Sequence, residues 1–169
     1  MNGRITGIAV LNSELFVVQE KLSQVNVYST EDYTLTSRDI RIDSWGLWAI
    51  IASPPQDCLY ISDFVQKVIH RYDLSDNVIT QWEVGGECWG LSLTSTDNVL
   101  VTLQDKRQIK EYSPDGRMIR TINLDSSMEC PRHSIQLPND QFAVSHGMGT
   151  SLHQIYIVDS SGRIINFLR

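Results

Sequence analysis

Residues 88–93 read CWGLSL, and the tripeptide Trp-Gly-Leu that begins here at Trp89 already occurs in SWGLWAI, residues 44–50, where it begins at Trp45. From position 45 to position 89 is 44 residues, and a further 44 residues lead to His133 in RHSIQL. An interval of this size is typical of proteins that are built from repeated structural units. The repeated tripeptide therefore raises the question of how far the repeat extends in both directions.

Four units of similar pattern cover the chain. Each unit contains four short segments rich in Val, Ile and Tyr, many of which alternate between apolar and polar residues as β-strands do. In KVIHRYDL, residues 67–74, the side chains of Val68, His70 and Tyr72 fall on one face. Turn residues such as Asp76-Asn77 separate the segments. The units span about residues 5–43, 44–84, 85–128 and 129–169.

Four antiparallel strands about every 40 residues are the pattern of a β-propeller blade. A single four-stranded sheet cannot cover both of its faces, so such sheets stack on their neighbours. The sequence therefore predicts an all-β fold, a β-propeller of four four-stranded antiparallel blades that forms a partial or small ring. We expect a single domain over residues 1–169, in which Trp45 and Trp89 occupy equivalent positions and pack between blades.

The stretch LYISDFVQKVIHRYDLSDNVI, residues 59–79, resembles an NHL repeat, with an apolar strand, Asp63, a short loop and an alternating strand that ends in an aromatic residue. Residues 99–119 repeat the pattern with Asp105 shifted by one position, and residues 142–165 follow it with a longer loop. NHL propellers commonly serve as binding modules, some for RNA and others for protein, including in tripartite-motif ubiquitin ligases. The resemblance implies a binding module, although complete NHL propellers usually have about six blades. Ligase activity is not implied, since the sequence has no RING, B-box or coiled-coil segment.

Composition narrows the classes of partner and compartment. The 169 residues carry a net charge of −6, and no apolar run is long enough to span a membrane. A nucleic-acid binder usually has a basic balance or stripe, so RNA is not an expected partner. The N-terminal sequence lacks a signal-peptide pattern, and the three cysteines are an odd number without CxxC spacing. We therefore expect a cytoplasmic protein with no membrane contact.

Propeller geometry indicates where a ligand would bind. In a four-stranded meander, the loop that enters the first strand lies at the same end as the loop between the second and third strands. Positive and negative residues nearly balance at this end. We predict that a protein or peptide binds there, at Trp45, Trp89, Arg132, His133 and His146.

No catalytic pattern accompanies these residues. The candidate metal ligands are Cys130, His133 and His146, but a structural zinc site needs four ligands and a second close pair. We therefore expect no metal, no cofactor and no catalytic residues, and interpret the chain as a non-enzymatic scaffold for protein binding. The alternative is a propeller-fold hydrolase or lyase with a metal-assisted site.

The strand with which each repeat begins affects how the blades can assemble. Each unit begins with its inner strand, so no blade combines strands from both termini. Four blades would then either close tightly on themselves or leave the outer faces of the first and last blades uncovered. Uncovered apolar faces favour association. The sequence thus predicts a possible homodimer that completes a larger propeller, or a chain whose other blades belong to a longer protein.

Overall fold

The computed structural model describes residues 3–147 and 153–168 and forms four antiparallel sheets of four strands each. Within each sheet the strands follow one another in chain order, so every pair of neighbouring strands is also consecutive in the sequence. The prediction of an all-β fold with four four-stranded antiparallel sheets is confirmed. Two 3-10 turns, Pro54–Gln56 and Pro138–Asp140, precede the second strands of sheets 2 and 4.

Strand bounds are as follows. Sheet 1 comprises β1 (Ile5–Leu11), β2 (Glu14–Gln19), β3 (Gln24–Ser29) and β4 (Ile40–Arg41). Sheet 2 comprises β5 (Leu47–Ser53), β6 (Cys58–Asp63), β7 (Val68–Asp73) and β8 (Ile79–Glu83). Sheet 3 comprises β9 (Cys88–Leu93), β10 (Val99–Leu103), β11 (Gln108–Tyr112) and β12 (Met118–Asn123). Sheet 4 comprises β13 (Pro131–Leu137), β14 (Gln141–His146), β15 (Gln154–Val158) and β16 (Ile164–Leu168).

The last strand of sheet 1 is shorter than its sequence indicates. An alternating segment over residues 35–42 predicts a full strand, but β4 is two residues long, with one isolated bridge between Tyr28 and Leu35. The chain leaves the ladder at Arg38, whose guanidinium reaches Tyr72 Oη at 3.1 Å and Asn77 Oδ1 at 2.8 Å in sheet 2. Side-chain hydrogen bonds to the next sheet thus replace backbone pairing.

Short polar side chains close the turns between strands. Ser75, Ser127 and Ser161 each donate a hydroxyl hydrogen bond to the aspartate two positions earlier, at 2.6, 2.7 and 2.6 Å. Each aspartate also accepts the backbone N–H of the same serine. These Asp-x-Ser turns satisfy the backbone where the ladder ends, as Asx turns do.

Chain contacts group the sheets into two compact units, one ending at Glu83 and the other beginning at Val84. In the first unit, Phe16 and Val18 of sheet 1 pack on Leu59 and Ile61 of sheet 2. The second unit repeats this arrangement between sheets 3 and 4, with Leu100, Ile109 and Ile122 against Phe142, Val144 and Val158. We call the face that packs on the following sheet the forward face, and the opposite face the rear face. Within the described residues no helix is long and apolar enough to cross a membrane.

Candidate functional site

A β-bulge interrupts the first strand of every sheet near its beginning. The pairing with the second strand skips Thr6 in sheet 1, Trp89 in sheet 3 and Arg132 in sheet 4. In sheet 2 the same irregularity falls between Leu47 and Ile50. Bulges redirect a side chain and increase the local twist. The repeat therefore presents one redirected side chain per sheet, and sheets 3 and 4 present an aromatic ring and a guanidinium.

The two redirected side chains of the second unit stack on each other. The guanidinium carbon of Arg132 lies 4.4 Å from the centre of the Trp89 ring, a cation–π contact. Glu87 Oε2 accepts a hydrogen bond from Trp89 Nε1 at 3.4 Å. No carboxylate among the described residues lies within ion-pair distance of Arg132. The indole thus holds the guanidinium in place, and no carboxylate of the described residues occupies its N–H donors.

A cavity of about 300 Å³ opens beside this stack at one end of sheet 4. All four strands of the sheet contribute to its wall, and the described lining residues include no acid. One side of the wall is apolar, through Ile155 and Leu168. The lining residues are Arg132, Ser145, His146, Gly147, His153, Gln154, Ile155 and Leu168.

His146 is the most buried polar residue of this wall. The residue is 8% exposed, and its imidazole stacks on the Tyr156 ring with centres 4.3 Å apart. Neither ring nitrogen has a hydrogen-bond partner among the described residues. Buried polar groups are normally paired, so an unpaired imidazole next to a cavity favours a ligand that supplies the partner.

His133 follows Arg132 in β13 but does not line the cavity. Its carbonyl accepts a hydrogen bond from Ser145 Oγ at 3.4 Å. Strand β9 passes so close that a Cβ on Gly90 would lie 2.7 Å from His133 Cα and 2.4 Å from the Arg132 carbonyl oxygen. Desolvation lowers the pKa of His133.

The interpretation of Trp45 as the equivalent of Trp89 is wrong. Trp45 precedes β5 and is 60% exposed, with its ring edge against Phe64 at 6.1 Å. In sheet 2 the bulge falls between Leu47 and Ile50. Trp48 follows the paired Leu47 as Trp89 follows the paired Cys88, so Trp48 is the residue that matches Trp89. The two Trp-Gly-Leu copies are out of structural register, because Gly46 packs against Asp63 whereas Gly90 packs against the following sheet. Trp45 also belongs to the other compact unit.

A buried acid–base pair in sheet 2 lies outside this site. His70 Nε2 lies 3.3 Å from Asp63 Oδ2, and both side chains are nearly inaccessible. Burial opposes ionisation of Asp63, but hydrogen bonds from His70, from the Gln66 N–H and from Ser44 lower its pKa overall. The other carboxylate oxygen accepts the N–H groups of Val65 and Gln66, which closes the loop after β6. Asp63 is therefore a structural residue of the loop.

Metal-binding geometry is not found around the histidines. Among residues 3–147 and 153–168, no three or more His, Cys, Asp or Glu side chains are grouped so that they could hold a metal ion. Cys130 precedes β13 in a left-handed conformation, with φ of 51°.

No protein-family model matches this sequence, and no curated protein matches it. Solved structures do match. They include hydrazine synthase of Kuenenia stuttgartiensis, with a TM-score of 0.78 and 15% identity over 98% of this chain and 49% of that chain. A catalytically inactive histidine-to-alanine variant of virginiamycin B lyase from Staphylococcus aureus, with quinupristin, matches with a TM-score of 0.78 and 14% identity over 99% of this chain and 56% of that chain. A protein from Lactobacillus plantarum matches with a TM-score of 0.77 and 11% identity over 99% and 56% of the two chains.

These likenesses establish the fold. The chain has a β-propeller fold with four four-stranded blades, as its sequence predicts. These structures do not establish that the chain consists of NHL repeats. The chain spans about half the length of the solved structures that it matches.

Sequence reasoning found Arg132 and His146 but missed the rest of the cavity. Ser145, Ile155 and Leu168 lie in one cross-strand row with His133. The alternation of side-chain direction along β14, β15 and β16 determines on which face of its strand each of these three residues lies, and this part could be predicted from the sequence. The pairing register that aligns them joins three strands, and no pattern within one strand specifies it.

Proposed function

We propose that this chain is a non-enzymatic, NHL-like propeller module that binds a protein or peptide segment at the cavity beside Arg132. The observation that carries the proposal is the guanidinium of Arg132, which is stacked on Trp89 at 4.4 Å and has no carboxylate partner among the described residues. A positioned guanidinium without an internal counter-ion suits a carboxylate, which it can bind in a bidentate way.

The composition of the cavity wall indicates what kind of peptide segment would carry this carboxylate. Two apolar side chains, Ile155 and Leu168, line the cavity together with polar donors such as Arg132. His146 adds a buried imidazole with both nitrogens unpaired. A segment with an acidic residue, or a terminal carboxylate, next to a large apolar side chain meets both halves of this wall. The chain as a whole is acidic, so it would not attract acidic proteins in general. The local positive charge of Arg132 would instead determine which segment of the partner binds in the cavity.

Fluorescence anisotropy with a labelled peptide library tests this function. The library contains Asp-Leu, Glu-Phe and C-terminal carboxylate peptides, each matched with a version in which the acid is an amide. We expect acidic peptides to bind more tightly than their amide versions, and the affinity to weaken as salt is raised.

Two variants locate the site. Because hydrogen bonds to charged groups contribute about 1.5–3 kcal/mol, Arg132→Ala should weaken binding by about 10- to 100-fold. Arg163→Ala is the matched control, since Arg163 is also in sheet 4 but lies in an exposed turn, paired with Asp159. Equal affinity for acid and amide peptides, unchanged affinity in Arg132→Ala, or absence of saturable binding to any acidic peptide would contradict the proposal.

A second candidate function is a metal-assisted lyase on the same fold. It is favoured by the unpaired imidazole of His146 in the cavity and by the likeness to virginiamycin B lyase. Elemental analysis of the purified protein by plasma mass spectrometry separates the two candidates. Stoichiometric metal that is lost in His146→Ala would favour the lyase, and binding of acidic peptides by metal-free protein would favour the binding module.

A further inference from the structure

The histidine of the buried Asp63–His70 pair lines a second cavity, which belongs to the first compact unit. We propose that this cavity binds a neutral, hydroxyl-rich small molecule of the monosaccharide or cyclic polyol class, with one hydroxyl group of the ligand paired with His70 Nδ1. This inference does not depend on the proposed peptide site, whose lining residues all belong to the second unit.

Both sheets of the first unit contribute to this cavity. Sheet 1 supplies Arg41, at the end of β4, and the two residues that follow it, whereas sheet 2 supplies His70 of β7 and Gln81 of β8. His70 is on the rear face of sheet 2, in one cross-strand row with Ile61 and Gln81. Ile61 is buried in the core that this face shares with sheet 1, and Gln81 is exposed. His70 therefore lies where the row passes from the core to the cavity.

The tautomer of His70 follows from its contact with Asp63. Burial raises the pKa of Asp63, but the hydrogen bonds that it accepts lower the pKa overall, so the carboxylate is ionised at neutral pH. It accepts a hydrogen bond from the Nε2–H group of His70, with Nε2 and Oδ2 3.3 Å apart. With its proton on Nε2, the neutral imidazole has a hydrogen-bond acceptor at Nδ1.

Nδ1 is the polar atom that this ring can offer to a ligand. His70 is 3% exposed, and Nδ1 has no hydrogen-bond partner among the described residues, although buried polar atoms are normally paired. Asp63, which contacts the other ring nitrogen, does not line the cavity. A hydroxyl group suits Nδ1 in either charge state of the ring, because it can donate to the neutral ring and accept from the charged ring.

The charges in the lining favour a neutral ligand over an ion. The described lining residues include one cation, Arg41, and one anion, Asp43. Arg41 already pairs with Asp39 at 2.9 Å. An anionic ligand would meet the Asp43 carboxylate, and a cationic ligand would meet the guanidinium. The side-chain amide of Gln81, by contrast, offers both a donor and an acceptor to hydroxyl groups.

The size and the apolar part of the cavity agree with a sugar-like ligand. Its volume of about 390 Å³ lies within the range of small-molecule sites. This volume equals that of about a dozen water molecules at about 30 Å³ each, which is enough for a monosaccharide. Ile42 and Ile79 add apolar surface to the lining, which suits the C–H groups that a sugar ring carries between its hydroxyl groups.

Titrations of the full chain by isothermal titration calorimetry test this site. The neutral probes are glucose, galactose, mannose, ribose and myo-inositol, and inorganic phosphate and spermidine are the charged comparisons. We expect saturable binding of at least one neutral probe and weaker binding of both ions. Long-range ¹H–¹⁵N NMR spectra of the four histidine side chains should show that saturation with this probe shifts the Nδ1 signal of His70 and leaves the other three histidines unchanged.

Two variants locate the ligand. His70→Gln keeps an N–H donor for Asp63 but has no atom in the place of Nδ1, so it should retain its circular dichroism spectrum and bind the probe about tenfold more weakly. Gln81→Ala, at the exposed end of the row, should weaken binding by about 2- to 10-fold. Thr80→Ala is the matched control, since Thr80 is the exposed neighbour on β8 whose side chain points to the opposite face.

The outcome does not depend on a single variant. If His70→Gln does not fold, Gln81→Ala and the His70 NMR signal decide the question. Absence of saturable binding of every neutral probe, tighter binding of phosphate or spermidine, an unshifted His70 signal, or unchanged affinity in Gln81→Ala would overturn the proposal. Arg132→Ala should leave the affinity for the neutral probe unchanged, so this site and the peptide site can fail separately.

Discussion

The hydrogen bond between Thr102 and Ser134 offers a quantitative test of how sheets 3 and 4 pack. The two hydroxyl oxygens are 2.8 Å apart, and the residues are 0% and 1% exposed. Thr102→Val keeps the shape and the β-branched side chain but leaves the Ser134 hydroxyl buried without this partner. A buried polar group that loses its partner costs about 1–3 kcal/mol, whereas removal of both partners is nearly neutral.

Thermal and urea unfolding of four proteins would measure the effect: wild type, Thr102→Val, Ser134→Ala and the double variant. We expect each single substitution to lower the free energy of unfolding by about 1–3 kcal/mol, or about 2–4 °C in Tm per kcal/mol. The double variant should lose less than the sum of the single losses, by at least about 1 kcal/mol. Thr121→Val on the exposed part of β12 is the control and should change stability by less than about 0.5 kcal/mol. Additive losses, or single losses no larger than the control, would refute the buried contact.

Two further predictions concern the close approach of sheets 3 and 4 and the acid sensitivity of the turns. Gly90→Ala would place a Cβ 2.4 Å from the Arg132 carbonyl oxygen. We expect this variant to lose about 1–3 kcal/mol of its free energy of unfolding in urea and to bind the peptide more weakly. Ser126→Ala, in an exposed loop, is the control and should change neither quantity. The pKa of Asp159 is lowered from 3.8 to about 2, mainly by the Ser161 hydroxyl, so the stability that this carboxylate contributes is complete above 3.8 and is lost as the pH falls through about 2. The urea concentration at the midpoint of unfolding should therefore fall as the pH is lowered over this interval, and it should fall less steeply in Asp159→Asn. Equal pH dependence in the two proteins would contradict a stabilising role of the Asp159 turn.

Strand positions could be predicted because the signal is local. In β7 the alternation of Val68, His70 and Tyr72 with their neighbours specifies the face of each side chain, and the structure buries those three residues. The turns were also predictable, since Asn77 and Gly162 adopt the left-handed conformation that their residue types favour. By contrast, β4 could not be predicted, because the residue that ends the pairing, Arg38, does so through contacts with Tyr72 and Asn77 in another sheet.

The candidate site could be predicted only in part, and the misassigned residue shows why. Trp45 and Trp89 share their sequence context, but the bulge of sheet 2 begins only after Leu47, so Trp48 takes the place of Trp89. A bulge shifts register by one residue, and the identical tripeptides give no indication of where it occurs. Arg132 was predicted from its place at the beginning of β13, which is where the bulge of sheet 4 lies. The stacking partner and the lining residues from β15 and β16 depend on tertiary packing and strand register, which are not local properties.

The bulge of sheet 4 and the cavity lie at the same end of the sheet. Arg132 reaches the cavity because it is the bulge residue of β13, while Ser145, Ile155 and Leu168 belong both to the cavity wall and to the cross-strand row that begins at His133. A large apolar side chain of a bound segment that covers this row would exclude water from the surroundings of the guanidinium. Since charge interactions strengthen as water is excluded, a carboxylate next to such a side chain would bind more tightly than a carboxylate alone. The bulge thus places the charged contact beside the apolar contact, and the proposed segment needs both.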